Sequence, residues 1–288
     1  MTNGIVIVAL GYDLYAYCAY NLALSLKAYD SHIRVCLLHD GNTIKSLSKK
    51  ELSLFDDMVL IPEKEYKVGN SHQYQRVKLC VYKYSPYDFT CYMDADNIWM
   101  PEKKPSWFMG DIIHHDFRIG MNGQYDYEIN RATKNNYTFW GDAKKICQYY
   151  KIKEILPQSV SGYFSFHKCE KVEELFKRAL SIYDEKGSPT ITWAGGKADE
   201  FCFNVAMAQM GMAQEEFHVF YFAKLNGKIP PEAIYKKFWG MAIGGHRVAD
   251  NLVIIYNRLV NKYSIIKEMQ TRHYHVNKVE VIPERKAF

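Results

Sequence analysis

Apolar residues along the chain fall into two alternating kinds of block. Gly4-Ile-Val-Ile-Val-Ala-Leu10 is a short, β-branched run that ends at Gly11, as expected of a strand buried on both faces of a parallel sheet. From Asp13 to Tyr29 the apolar positions Leu14, Tyr17, Cys18, Leu22, Leu24 and Leu26 fall close to a helical stripe, and Ile33 to Leu38 supplies a second apolar strand. That is a β-α-β unit. A polar helix is predicted at Thr43–Phe55, a strand at Asp57–Ile61 closed by Pro62, a helix at Gln73–Tyr84 and a strand at Phe89–Met93. This alternation predicts an α/β fold with a mostly parallel central sheet, flanking helices and ligands at the carboxyl ends of the strands.

The second half is less periodic. Gly162–Phe166 reads as a strand, Glu170–Glu185 as a helix with the stripe Val172, Leu175, Phe176, Ala179, Leu180 and Tyr183, and Asp199–Gly211 as another helix. Gly120–Gly141, rich in Asn, Tyr and Gly, reads as a loop; Gly227–Gly245 has no period, and Leu252–Glu268 returns to a helical pattern. With no repeat and no linker, a single domain is expected, with residues 1–223 as the core and 224–288 completing it.

Composition narrows the class. The 288 residues are 48% apolar and 24% charged, enough for a sizeable core and too varied for a fibrous or disordered chain. The run Ile5–Leu10 is far short of a membrane-spanning helix and has no basic stretch before it, so a cytoplasmic protein is expected, in the host cytoplasm if phage-encoded. The seven scattered Cys form no C-x-x-C pair and are expected to be buried thiols. The net charge of +5 is unevenly placed: residues 1–223 hold 25 Lys/Arg against 27 Asp/Glu, whereas 224–288 hold 12 against 5. A basic terminal segment suits an anionic partner, a diphosphate or a nucleic-acid backbone, or else is a solvated face.

The chemistry concentrates in Met93-Asp94-Ala95-Asp96-Asn97-Ile98, where two carboxylates two apart stand at the end of a buried strand. Alternate side chains of an extended chain point the same way, so Asp94 and Asp96 can share one hard divalent cation that keeps positions open for phosphate oxygens. Ordinary turn chemistry is the other reading of such a pair. Lys78 lies sixteen residues before Asp94, on the helix leading into the same strand.

This spacing resembles the glycogenin-like family of nucleotide-sugar glycosyltransferases of the GT-A fold. Three further elements resemble the family in order: Asp13-x-Tyr15-Ala16-x-x-Ala19-x-x-Leu22-x-x-Ser25-Leu26, then Ser161-Gly162, then Gly195-Gly196-Lys-Ala-Asp199-Glu200-x-x-x-Asn204. The resemblance implies a metal-dependent transfer of a sugar from a UDP-sugar to an acceptor hydroxyl, with retention at the anomeric carbon. It implies that Tyr15 stacks on the uracil beside the backbone of Leu10 and Gly11, and that Lys78 neutralises a diphosphate oxygen. Asp94 and Asp96, flanking Ala95, would hold Mn²⁺ or Mg²⁺. Asp199 would contact the donor sugar across from Lys78, with Gly162 and Asn204 in support, and His273 and Lys278 would supply a third metal ligand and a second phosphate contact. His275 and the turn Gly244-Gly245-His246-Arg247 compete for that role. Val160 stands where the family has an Asn, which leaves the sugar open.

The acceptor is open too. A hydroxymethylated DNA base, as small phage-type glycosyltransferases use, would call on Lys224, Lys228, Lys236, Lys237 and Arg247; a glycan or protein hydroxyl would not. A sugar nucleotidyltransferase and a nucleotide-sugar-binding module without catalysis are the alternatives. Gly11-Tyr-Asp-Leu-Tyr15 lacks the Gly- and Arg-rich phosphate loop expected of the first, and Asp94, Asp96, Lys78 and Asp199 speak against the second.

Overall fold

The computed structural model describes residues 1–100, 103–133, 139–193, 195–212, 220–222 and 239–242. In chain order the first half contains β1 (Asn3–Ala9), α1 (Asp13–Tyr29), β2 (Val35–His39), α2 (Lys49–Leu52), β3 (Asp57–Leu60), the short hairpin β4 (Lys67–Val68) and β5 (Ser71–His72), α3 (Val81–Tyr84), β6 (Phe89–Asp94), β7 (Asn97–Trp99) and α4 (Pro105–Ile112). There follow β8 (Phe117–Asp126), β9 (Arg131–Ala132), α5 (Ala143–Tyr150), β10 (Ile155–His167), α6 (Glu170–Asp184), the hairpin β11 (Thr192–Trp193) and β12 (Gly196–Lys197), α7 (Asp199–Gln209), β13 (Phe220–Phe222) and β14 (Gly240–Ala242).

The central sheet has seven strands in the order β3-β2-β1-β6-β10-β8-β9. β3, β2, β1 and β6 are parallel neighbours, and β10 runs against both β6 and β8, so β8 shares the direction of the first four. Alternate residues of β1 feed two cores. Ile5, Ile7 and Ala9 pack with α1 and with Phe108 and Met109 of α4; Val6 and Leu10 pack with α5, α6 and α7 on the opposite face. The chain enters the sheet at β1 and leaves it to either side, to β2 and to β6, so a crevice opens at the carboxyl ends of β1 and β6 where the order reverses.

Four expectations change. Gly120–Gly141 is not a loop from its start, because β8 runs to Asp126 and pairs with β10 over most of its length. The glycine that disguised this strand has a packing reason: a Cβ on Gly120 would stand 2.8 Å from the Tyr163 ring and from the Val160 carbonyl. β10 likewise begins at Ile155, well before Gly162. The helix predicted over Thr43–Phe55 is a 3₁₀ turn, Thr43–Ser46, followed by α2, because Ser48 restarts the chain as a capping box with Glu51. The helix predicted over Gln73–Tyr84 is a 3₁₀ segment, Tyr74–Cys80, that runs into α3. The predicted helix at Leu252–Glu268 lies outside the described residues.

All seven cysteines are free thiols, and only Cys169 is less than fully buried. No described helix is long and apolar enough to cross a membrane.

Gly11 ends β1 in the left-handed region, with φ of 85°, and an added Cβ would lie 2.4 Å from the Tyr74 ring. Gly11→Ala is expected to cost at least about 1–2 kcal/mol for the conformation alone, lowering Tm by several degrees. Calorimetry of Gly11→Ala, Tyr74→Ala and the double variant checks the contact: the double variant should lose less than the two singles added together.

Candidate active site

The crevice is built by four segments. The carboxyl end of β6 presents Asp94, and the two-residue turn from there into β7 presents Asp96; both are partly exposed while Ala95 between them is buried, so a turn rather than the expected extended strand relates the two carboxylates. Tyr92, on the same face one pleat earlier, donates its hydroxyl to Asp94 Oδ1 at 2.6 Å. The 3₁₀ segment Tyr74–Cys80 brings Lys78, whose Nζ lies 2.8 Å from Asp94 Oδ1 and 3.0 Å from Oδ2. The first turn of α7 brings Asp199, 4% exposed, with Oδ2 3.4 Å from the same ammonium. An irregular stretch of β10 brings Ser161, whose hydroxyl accepts from Lys78 Nζ at 3.4 Å.

The irregularity in β10 is a device. Val160 pairs with Gly120 and Phe164 with Ile119, so the register against β8 slips across residues 161–163, which arch there while Tyr163 keeps its pairing with Met93 of β6. The arch turns Ser161 towards Lys78 and leaves the Gly162 carbonyl to accept from Asn97 Nδ2 at 3.1 Å.

Charge is unevenly divided across the site. Burial opposes the Lys78 charge, but the carboxylates of Asp199 and Asp94 outweigh it and hold the ammonium protonated well above the usual lysine range. Glu200, next to Asp199, is pushed up to about 7 by burial and then by the Asp199 charge, with Lys78 pulling the other way. The Tyr15 phenol is raised by burial, then by the charges of Asp96 and Asp94, which places it beside the pair. Three carboxyl groups, Asp94, Asp199 and Glu200, thus act on one ammonium, with Asp96 beside Tyr15 close by. Hard oxygen donors with this negative excess fit a divalent cation at Asp94 and Asp96. Among the described residues no group of three or more His, Cys, Asp or Glu is placed to hold a metal. His273, His275, His246 and Lys278 lie outside the described residues, as do Lys224, Lys228, Lys236, Lys237 and Arg247.

The remaining predicted residues divide. Leu10 is buried, and the Gly11 N–H already donates to Asp40 Oδ2 at 2.7 Å, so it is the carbonyls that this turn leaves for a ligand. Asp40 also accepts from the backbone N–H groups of Asn42 and Thr43 and from the Thr43 hydroxyl, which fixes the loop after β2 against the end of β1. Asn204, 2% exposed, accepts from the Ser159 N–H at 2.8 Å and so fastens α7 to β10. Residues that the sequence reading left without a role include Tyr92, Asn97 and Glu200. Only Asn97 and Glu200 carried a signal, since each is polar and adjoins a predicted site residue; Tyr92 was one aromatic among 23 tyrosines.

Lys78 depends on bracing behind it. Arg76 forks onto Asp184 of α6 at 2.8 and 2.7 Å and donates to the Glu65 carbonyl at 2.8 Å. Glu65 is buried, yet hydrogen bonds from Lys83 and Tyr84 hold its carboxyl down to about 2.

Neither protein-family models nor curated protein sequences give a match to the chain. Solved structures do. The apo structure of WbbM, a bifunctional glycosyltransferase, matches 95% of this chain at 12% identity with a TM-score of 0.51. The chain has a GT-A glycosyltransferase fold. It spans about half of WbbM, 51% of that chain. The galactosyltransferase LgtC, in complex with donor and acceptor sugar analogues, matches 83% of this chain and 86% of its own at 12% identity, with a TM-score of 0.44. Mouse xyloside xylosyltransferase 1 in its apo form matches 84% of this chain and 97% of its own at 8% identity, with a TM-score of 0.47.

Two outcomes are expected. Lys78→Met leaves Asp94 and Asp199 facing each other without their cation, a loss of about 3–5 kcal/mol at neutral pH that acidification should reduce, measured by urea unfolding. For Glu200 the folded value lies above that of an ordinary glutamate, so the native state keeps the proton longer than the unfolded chain. Its contribution to stability is complete below the ordinary value and is lost as pH rises through about 7. Glu200→Gln should therefore flatten the fall in unfolding free energy between roughly pH 5 and 8; an unchanged slope would show that the carboxyl is ionised throughout.

Proposed function

We propose that the protein transfers a sugar from a UDP-sugar to an acceptor hydroxyl, with Mn²⁺ or Mg²⁺ held at Asp94 and Asp96. The observation that carries this reading is the Lys78 ammonium, fixed between Asp94 of β6 and Asp199 of α7 at the crevice where the strand order reverses. The fold shared with WbbM supports it.

Lys78 is held protonated by two carboxylate partners. A diphosphate entering the crevice competes for that ammonium with Asp94, which gains freedom to face a metal ion. When bound, the cation supplies Lewis-acid stabilisation of the negative charge that develops on the departing diphosphate. Asp199, buried on the far side of Lys78, is placed to accept hydrogen bonds from the hydroxyls of the donor sugar. Glu200, whose carboxyl burial and the Asp199 charge push upwards, holds its proton more readily than an ordinary glutamate and so limits the repulsion that an anionic donor meets. Tyr15 offers a ring beside the turn at Gly11 for the uracil. Retention follows if the acceptor attacks from the face that the diphosphate leaves, with a diphosphate oxygen taking the acceptor proton.

Thermal-shift measurements on a panel of nucleotide sugars, with Mn²⁺ and with EDTA, test the reading. A UDP-sugar at 100 times its Kd should stabilise the fold by about 2.7 kcal/mol, only when Mn²⁺ is present, and UDP release should follow when an acceptor is added. Asp94→Ala should abolish the Mn²⁺-dependent part. Stabilisation without UDP release under any acceptor would favour a binding module, and pyrophosphate-dependent release of UTP would identify a nucleotidyltransferase.

A further inference from the structure

Asn97 opens β7 and is 2% exposed. Its Nδ2 donates to the Asp94 carbonyl at 2.9 Å and to the Gly162 carbonyl at 3.1 Å. Both neighbours are acceptors, so the nitrogen end of the amide must face them. Its Oδ1 is buried with no hydrogen-bond partner among the described residues. A side chain chosen for stability alone would not leave a buried acceptor unmet at the start of a strand, where a β-branched apolar residue packs well. The amide does something an apolar residue cannot: it fastens the backbone of the Asp94–Asp96 turn to the arch of β10. Ser161 of that arch touches Lys78, and Lys78 touches Asp94, so Asn97, Gly162, Ser161, Lys78 and Asp94 close a ring of contacts around the crevice.

We infer that Asn97 is a positioning residue for the cation, setting the separation and aim of Asp94 and Asp96 by tying their turn to the arch. The inference rests on the proposed metal-dependent function. No step of the reaction passes through Asn97, whose effect is exerted on the backbone of its neighbours, as outer-shell groups act on metal ligands.

The test uses Asn97→Val, which removes the donor and the orphaned acceptor together, and Asn97→Ser as a smaller change should the valine variant fold poorly. UDP binding is measured by calorimetry with Mn²⁺ and with EDTA, and Mn²⁺ binding alone by electron paramagnetic resonance. The expected result is a loss of Mn²⁺ affinity and of Mn²⁺-dependent UDP affinity by about 10–100-fold, with UDP binding in EDTA unchanged and Tm unchanged or raised. Unchanged Mn²⁺ affinity would overturn the inference, as would equal losses with and without Mn²⁺, which would mark Asn97 as merely structural. Asp94→Ala run alongside separates the two claims: if it too leaves Mn²⁺ binding intact, the metal reading itself has failed.

Discussion

A single buried cation organises the crevice. The Lys78 ammonium draws Asp94 from the end of a strand and Asp199 from the start of a helix to one point, and neither acid has another cation within salt-bridge distance among the described residues. Two carboxylates converging in a partly dehydrated crevice would repel each other; with Lys78 between them they become a clamp. The arrangement is stable yet exchangeable, because every member of it is a group that an anionic ligand and a metal ion can replace.

The clamp works only if its parts are held from behind. Arg76 and Glu65 brace the 3₁₀ segment against α6 and α3, Asn204 fixes the first turns of α7 to β10, and Asp40 fixes the turn after β1. Each brace is a polar contact made by a side chain, to backbone or to another side chain. They keep the elements in register without crowding the crevice, which stays lined by Asp94, Asp96, Lys78 and Tyr15. The reversed direction of β10 matters here. Had it run parallel to β6 like its neighbours, only its end would meet the site; running against β6, it presents its middle, and the arch at 161–163 becomes available as a wall.

Much of this was legible in the chain. Short apolar runs marked β1, β2 and β6, that of β1 β-branched, because strands buried on both faces leave no polar alternation to misread, and α1 was bounded at Asp13 and Tyr29 by its stripe. Asp94 and Asp96 stood out by residue type and spacing, Lys78 and Asp199 through the resemblance, and the structure brings Lys78 within reach of Asp94 and Asp199. What escaped detection depends on three dimensions. Gly120 looks like a loop residue until the Tyr163 ring lies over it; Ser48 interrupts a helix only because Glu51 caps back onto it; and Asn97 is an ordinary polar residue until its amide meets the Asp94 carbonyl and, 65 positions further along the chain, the Gly162 carbonyl. Tyr74 could not be paired with Gly11 from the sequence, since nothing local signals that one ring will cover another segment's backbone.

The distance along the chain between the members of the clamp has a consequence during synthesis. Lys78 and Ser161 are 83 residues apart, and Asp199 comes later still. While the ribosome is still adding α6, β1, β2 and β6 can already pair, but Lys78 has met only one of its two acids, and the wall contributed by α7 does not yet exist. A nascent chain therefore carries a sheet before it carries a binding site. The crevice is complete only after the last of the clamp's three arms has emerged and docked.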